Sequence, residues 1–244
     1  MQRSILRSRL TASLAGLLIF SGSASGHVPF VETDDFTLLD PFIVEDVPNS
    51  KAIYAYLESA EDFDVYYFEL TEPTRIFAST TITLCPEYAD YAVTFALTGP
   101  GLPEPDFDLP VRLRPGHGAV LVRDTFDSAE TREWFYEPYG GRYYFRAPDY
   151  IIDDAMPGQY QMIVWNESGL VGDYTAVIGE GEYWGPAERA QAGKVMKFLG
   201  EREDIHVPCN VAEAFATLKI DAPVNPPKLP MPSGRPDQTS AETP

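Results

Sequence analysis

The chain has 244 residues, 18 basic and 37 acidic side chains, a formal net charge of −19 and a hydrophobic content of 44%. Charge of this sign repels nucleic acid and anionic lipid, which excludes them as partners. The apolar content is ample for one packed core.

Residues 1–26 read as a secretory signal peptide. Arg3, Arg7 and Arg9 precede an apolar run from Leu10 to Phe20, then the small residues Ser21–Gly26. The run is shorter than the ~20 apolar residues that a membrane helix needs. Cleavage after Gly26 leaves His27 as the mature N-terminus; a competing cut lies one residue earlier. The segment holds three basic and no acidic residues, so the mature chain has 15 basic and 37 acidic side chains, a net charge of −22. The sequence predicts export to the periplasm or beyond, with no stable membrane insertion after cleavage. Cys85 and Cys209 are the only cysteines. In an exported chain two thiols predict one disulfide, and a loop of 124 positions is worth about 5 kcal/mol in the chain-entropy model.

Residues 27–50 read as an N-terminal leader of mixed extended character. From Lys51 to Gly181 the chain is rich in Tyr, Phe, Val, Ile and Thr, broken by Pro and Gly, which predicts strands and turns. In Asp64–Leu70 the even positions Tyr66, Phe68 and Leu70 are apolar, one face of a half-buried strand. Arg75 to Thr83 puts Ile76, Ala78, Thr80 and Ile82 on one face. Ala92–Leu97 and Ala119–Val122 are further strands. Gln159–Trp165 and Asp173–Ile178 read as antiparallel partners joined across Asn166-Glu167-Ser168-Gly169. The spacing predicts an all-β, antiparallel sandwich. A C-terminal extension, 182–221, carries one helix that starts at Gly185-Pro186, has Ala187, Ala190, Val195, Phe198 and Leu199 on its apolar face, and stops at Gly200. Residues 211–220 fit a short helix or a strand. The Pro-rich, polar segment 222–244 reads as a disordered tail.

Two parts of this body resemble the bacterial pre-peptidase C-terminal domain. Glu61–Phe68 is similar to that family's opening D-x-D-x-Y-x-F strand. Pro157-Gly158-Gln159-Tyr160 with Gly172-Asp173-Tyr174-Thr175 is similar to its closing pair of G-x-Y strands. The segment between them is longer than the family's, and Trp134–Phe145 has no counterpart. The resemblance implies a jelly-roll-like β-sandwich of an exported protein over about 120 residues, a binding module with no catalytic residue.

Three constellations could carry function. His27, His117 and His206 are the chain's only histidines. A mature N-terminal His27 with a second histidine suits Cu(II); the chain resembles copper monooxygenases and periplasmic copper carriers at this one residue, and a copper-dependent redox enzyme is the one enzymatic class left open. Asp62, Asp64 and Asp173 near strand ends could hold a Ca²⁺ that stabilises the sandwich. Trp134–Phe145 concentrates aromatic rings, and Trp134, Tyr136, Tyr139 and Arg142 form a candidate surface for a saccharide, a peptide or an exported protein. No nucleophile motif or phosphate loop occurs. The expectation is an exported, non-catalytic binding protein.

Overall fold

The structure, a computed structural model, describes residues 26–138, 141–199 and 210–223. Their strands are, in chain order, β1 (Val28–Val31), β2 (Phe42–Ile43), β3 (Lys51–Leu57), β4 (Phe63–Leu70), β5 (Thr74–Thr83), β6 (Thr94–Gly99), β7 (Gly118–Arg123), β8 (Trp134–Glu137), β9 (Arg142–Arg146), β10 (Tyr150–Ala155), β11 (Gly158–Trp165) and β12 (Gly172–Ile178). Two helices follow, α1 (Pro186–Leu199) and α2 (Val211–Leu218).

The strands form two sheets that face each other as a sandwich. The seven-stranded sheet has the order β1-β3-β12-β5-β9-β8, with β10 beside the first half of β5. The five-stranded sheet has the order β2-β4-β11-β6-β7. The alternation in Asp64–Leu70 works as expected: Tyr66, Phe68 and Leu70 enter the core, as do Ile76, Ala78 and Ile82 from β5. Tyr160 of β11 stacks on Phe68, and Gly99 is required opposite it, since a Cβ there would fall 2.2 Å from the Tyr160 ring.

The structure corrects several expectations. β11 and β12 are not partners: β11 lies between β4 and β6, β12 between β3 and β5 in the other sheet. Asn166 shapes the crossing by accepting from Ser168 N and Leu170 N and donating to Ala92 O. Six residues reach at most about 20 Å, enough to step across two sheets about 10 Å apart. The sandwich is also not wholly antiparallel. Residues 27–50 supply an edge strand to each sheet, and both pair in parallel, β1 with β3 and β2 with β4.

Two helices stand where one was expected. The buried stripe of α1 is Ala192, Val195 and Leu199, at helical spacing, whereas Ala187 and Ala190 are exposed. This stripe covers Tyr54 on the outer side of the seven-stranded sheet. The 211–220 ambiguity resolves as helix. Asn210 caps α2 by accepting from Glu213 N, and Phe215 inserts against Trp134 and Tyr143. The signal segment through residue 25, the stop at Gly200, and the tail from residue 224 lie outside the described residues. So does Cys209. Cys85 is fully buried, and no free cysteine occurs among the described residues; the Cys85–Cys209 bridge stands as a proposal. Among the described residues no helix is long and apolar enough to cross a membrane.

Candidate functional site

The expected aromatic segment is the β8–β9 hairpin, with Trp134 opposite Phe145, Phe135 opposite Tyr144, Tyr136 opposite Tyr143, and Glu137 opposite Arg142. Period-2 alternation splits its rings between two faces. Trp134, Tyr136, Tyr143 and Phe145 pack on the core side, Trp134 with its ring centroid 5.1 Å from Phe215 and 5.7 Å from Tyr143. Phe135, Glu137, Arg142, Tyr144 and Arg146 share the opposite, outer face. Of the four residues singled out in the sequence, Trp134 and Tyr136 therefore look inward, Tyr139 lies outside the described residues, and Arg142 alone is on the outer side. Alternation was visible in the sequence; which parity faces out was not.

That outer face holds a groove of about 200 Å³. Its floor is made of short side chains, Ala52, Ser79, Thr81, Thr175 and Val177, from the three central strands. Phe77, Phe135, Tyr54 and Tyr144 add rings, and His27, Glu137, Arg146 and Asp149 add polar groups. The Arg146 guanidinium sits 4.6 Å from the Phe135 ring centroid and pairs with Glu133 at 3.3 Å. Tyr54 and Tyr144 share a hydrogen bond, and complete burial holds the Tyr144 phenol well above its ordinary pKa. Burial also lowers the Arg142 guanidinium. The groove is thus lined by short side chains and neutral rings, with Glu137, Arg146 and Asp149 as its charged groups. None of its floor residues was singled out in the sequence; small side chains on central strands mark the hollow.

His27 opens onto this groove. Its Nδ1 lies 2.5 Å from Ser50 Oγ, and desolvation lowers its pKa, with Glu182 and Glu137 opposing weakly. Gly26 is buried, and its carbonyl accepts from the Trp184 indole. His117 precedes β7 in the other sheet and lines no part of the groove; His206 is outside the described residues. The predicted copper set is not assembled among the described residues, and the Nδ1 such a site would use is engaged by Ser50.

The acidic residues group differently from the expected Asp62, Asp64 and Asp173. Asp62 Oδ2 accepts from Glu58 N, and Asp173 lies by Tyr88. Asp64 instead meets Glu32 and Asp35 from the β1–β2 connection, one oxygen from each lying within 4.8 Å of the others. Asp64 is fully buried and Glu32 is 7% exposed. Burial raises both carboxyls, Glu32 to about 7 and Asp64 well above its ordinary value. Glu32 and Asp35 escaped the sequence reading because they stand 29 to 32 positions from Asp64, in a stretch that read as a leader.

No family model and no curated protein matches the chain. Solved structures that overlap part of it include two periplasmic inhibitors. One is PliG of Salmonella Typhimurium, a periplasmic inhibitor of g-type lysozyme, at 16% identity and TM-score 0.29, over 57% of this chain and 96% of that one. The other is PliG of Aeromonas hydrophila, also a periplasmic inhibitor of g-type lysozyme, at 11% identity and TM-score 0.30, over 62% and 97%. Overlaps with TM-scores this low say nothing of what this chain binds.

Proposed function

We propose that this chain is an exported, non-catalytic binding protein that receives one side chain of a protein partner in the outer-face groove. The observation that carries the reading is the groove itself: an uncharged floor across three central strands, neutral rings, and Glu137, Arg146 and Asp149 as its charged groups. Such a hollow accepts an apolar or aromatic group, and the charged groups fix its orientation. The mature charge of −22 favours a basic partner by steering it to the surface. The pair formed by His27 and Ser50 does not favour nucleophilic catalysis, because Ser50 is fully buried and cannot present its oxygen to a substrate.

The test uses the exported protein as bait against secreted proteins of its host, with affinities measured for any captured partner. Ser79→Trp fills the groove floor without touching the core. It is expected to weaken binding by at least about tenfold, the loss of one good anchor contact. A partner held equally well by a folded Ser79→Trp protein would sink the assignment. Groove resonances perturbed by an oligosaccharide and by no protein would move the ligand class to saccharide.

A further inference from the structure

A second site lies away from the groove, where the β1–β2 connection meets the start of β4, and it does not depend on the function proposed above. We propose that Glu32, Asp35 and Asp64 bind a Ca²⁺ ion that ties the N-terminal connection to both sheets.

The carboxylates are held in place before any ion arrives. Glu32 follows β1, its Oε1 accepting from Phe36 N at 3.2 Å and its Oε2 from Tyr56 N at 2.8 Å. Asp64 Oδ2 accepts from Tyr174 Oη at 2.6 Å, and that hydroxyl lies 2.7 Å from Tyr66 Oη. Asp64 thus hangs from a chain of hydroxyls that joins β4 of one sheet to β12 of the other.

The other oxygen, Asp64 Oδ1, is fully buried and no donor group reaches it; the hydrogen bond between the Asp64 and Glu32 side chains forms only when one of the two carboxyls carries a proton. A buried carboxylate oxygen left unsatisfied is costly and calls for a positive charge or a proton. The charges acting on the buried pair are all negative: Glu32 and Asp62 on Asp64, and Asp35 on Glu32. Among the described residues no side chain supplies a counter-charge here, whereas Arg132 supplies one to the buried carboxylate of Asp124.

The geometry selects the class of ion. Hard oxygen donors exclude a thiophilic metal. Carboxylate oxygens within 4.8 Å of one another can share one hard cation, and Ca²⁺, which accepts irregular sets of six to eight oxygens, suits carboxylates already fixed by the protein better than Mg²⁺, which demands near-ideal octahedral geometry. Asp35 is exposed, so the ion enters from solvent on that side and keeps water there to complete its shell. Proteins outside the cytoplasm meet Ca²⁺ at concentrations that fill sites of about 10⁻⁴–10⁻³ M.

The experiment is calorimetric titration and thermal unfolding of the exported full-length protein, stripped with chelator, against CaCl₂ and MgCl₂. Wild type is expected to bind one Ca²⁺ with a higher melting temperature, and Mg²⁺ is expected to compete weakly. Asp35→Asn, at an exposed position, is expected to keep the metal-free melting temperature and to weaken Ca²⁺ binding at least about tenfold. Asp64→Asn is expected to abolish the response. Wild type that shows neither heat nor a thermal shift at about 10 mM Ca²⁺ would overturn the site and leave the pair sharing a proton. Unchanged Ca²⁺ binding in Asp35→Asn and Asp64→Asn would overturn it by placing the ion on other surface acids. An equal response to Mg²⁺ would overturn the choice of calcium.

Discussion

Among the places where the sandwich buries charge, two are treated in opposite ways. At one, Arg132 reaches inward from the loop before β8 and pairs with Asp124, both side chains at most 5% exposed. Arg132 also donates to Tyr91 O at 2.9 Å, and its guanidinium carbon lies 4.0 and 4.3 Å from the ring centroids of Phe126 and Phe145. Burial lowers this guanidinium and raises Asp124, while the attraction between them offsets part of each shift. At the other, Glu32 and Asp64 bring like charges together with hydroxyl and amide donors alone around them. The first arrangement carries its own counter-charge, with Arg132 Nε left without a hydrogen-bond partner among the described residues. The second is complete only with a proton or a cation, so solution conditions govern it.

The largest expected effect tests the paired site. Arg132→Ala strands Asp124 in the interior and should cost about 3–5 kcal/mol in urea unfolding, whereas replacing both partners, Arg132→Met with Asp124→Leu, should recover most of it. A single substitution costing under 1 kcal/mol would show that the pair is solvated. An intermediate effect tests the acidic site. In the metal-free folded chain Glu32 titrates near 7, above its ordinary 4.5, with Asp64, Asp35, Asp62, Tyr66 and Tyr174 facing the pair. A carboxyl raised on folding is protonated in the folded chain where the unfolded chain is already ionised. Its stabilisation is therefore full below the unfolded value and is lost as pH rises through about 7. Stability in chelator should fall by on the order of 2 kcal/mol between pH 5 and pH 8, and Ca²⁺ should flatten that slope. A profile that rises over this range would contradict the shared-proton picture. The smallest effect separates the hydroxyl chain from the carboxylates: Tyr66→Phe deletes one hydroxyl contact and should cost about 1 kcal/mol, read as a shift in the urea midpoint with unchanged slope.

Much of the sandwich was legible in the sequence because alternation reports burial directly. Tyr66, Phe68 and Leu70 declare one buried face, and strands β5, β7 and β11 fall within a residue or two of their expected spans. Alternation does not say which sheet a strand joins. Asn166-Glu167-Ser168-Gly169 has the composition of a hairpin turn, yet Asn166 uses its side chain to carry the backbone across the sandwich. On α1 the expected Val195 and Leu199 are buried, while Ala192 takes the place expected of Ala187 and Ala190, since alanine packs or faces water at little cost either way. The sites were harder. The groove is a property of what is small on the middle strands, and a sequence search for aromatic density points to the adjoining hairpin and to the wrong parity of its rings. The acidic site needed Glu32 and Asp35 brought to Asp64 by a parallel edge pairing that no local pattern signals.

The chain visits the two sheets by turns, and this bears on how the protein is made. β11 and β12, the last two strands among the described residues, occupy interior positions, each flanked on both sides by strands from the first hundred residues. The five-stranded sheet lacks its central strand until residue 165 has been made, and the seven-stranded sheet lacks β12 until residue 178. The earlier strands cannot close over a core as they appear, and the pairings made by β11 and β12 span from 63 residues (161 − 98) to 127 (178 − 51). Folding should then be a single late event on the millisecond-to-second scale of β-sandwiches of high contact order, and a chain cut before Gly172 should be a substrate for proteases rather than a smaller working module.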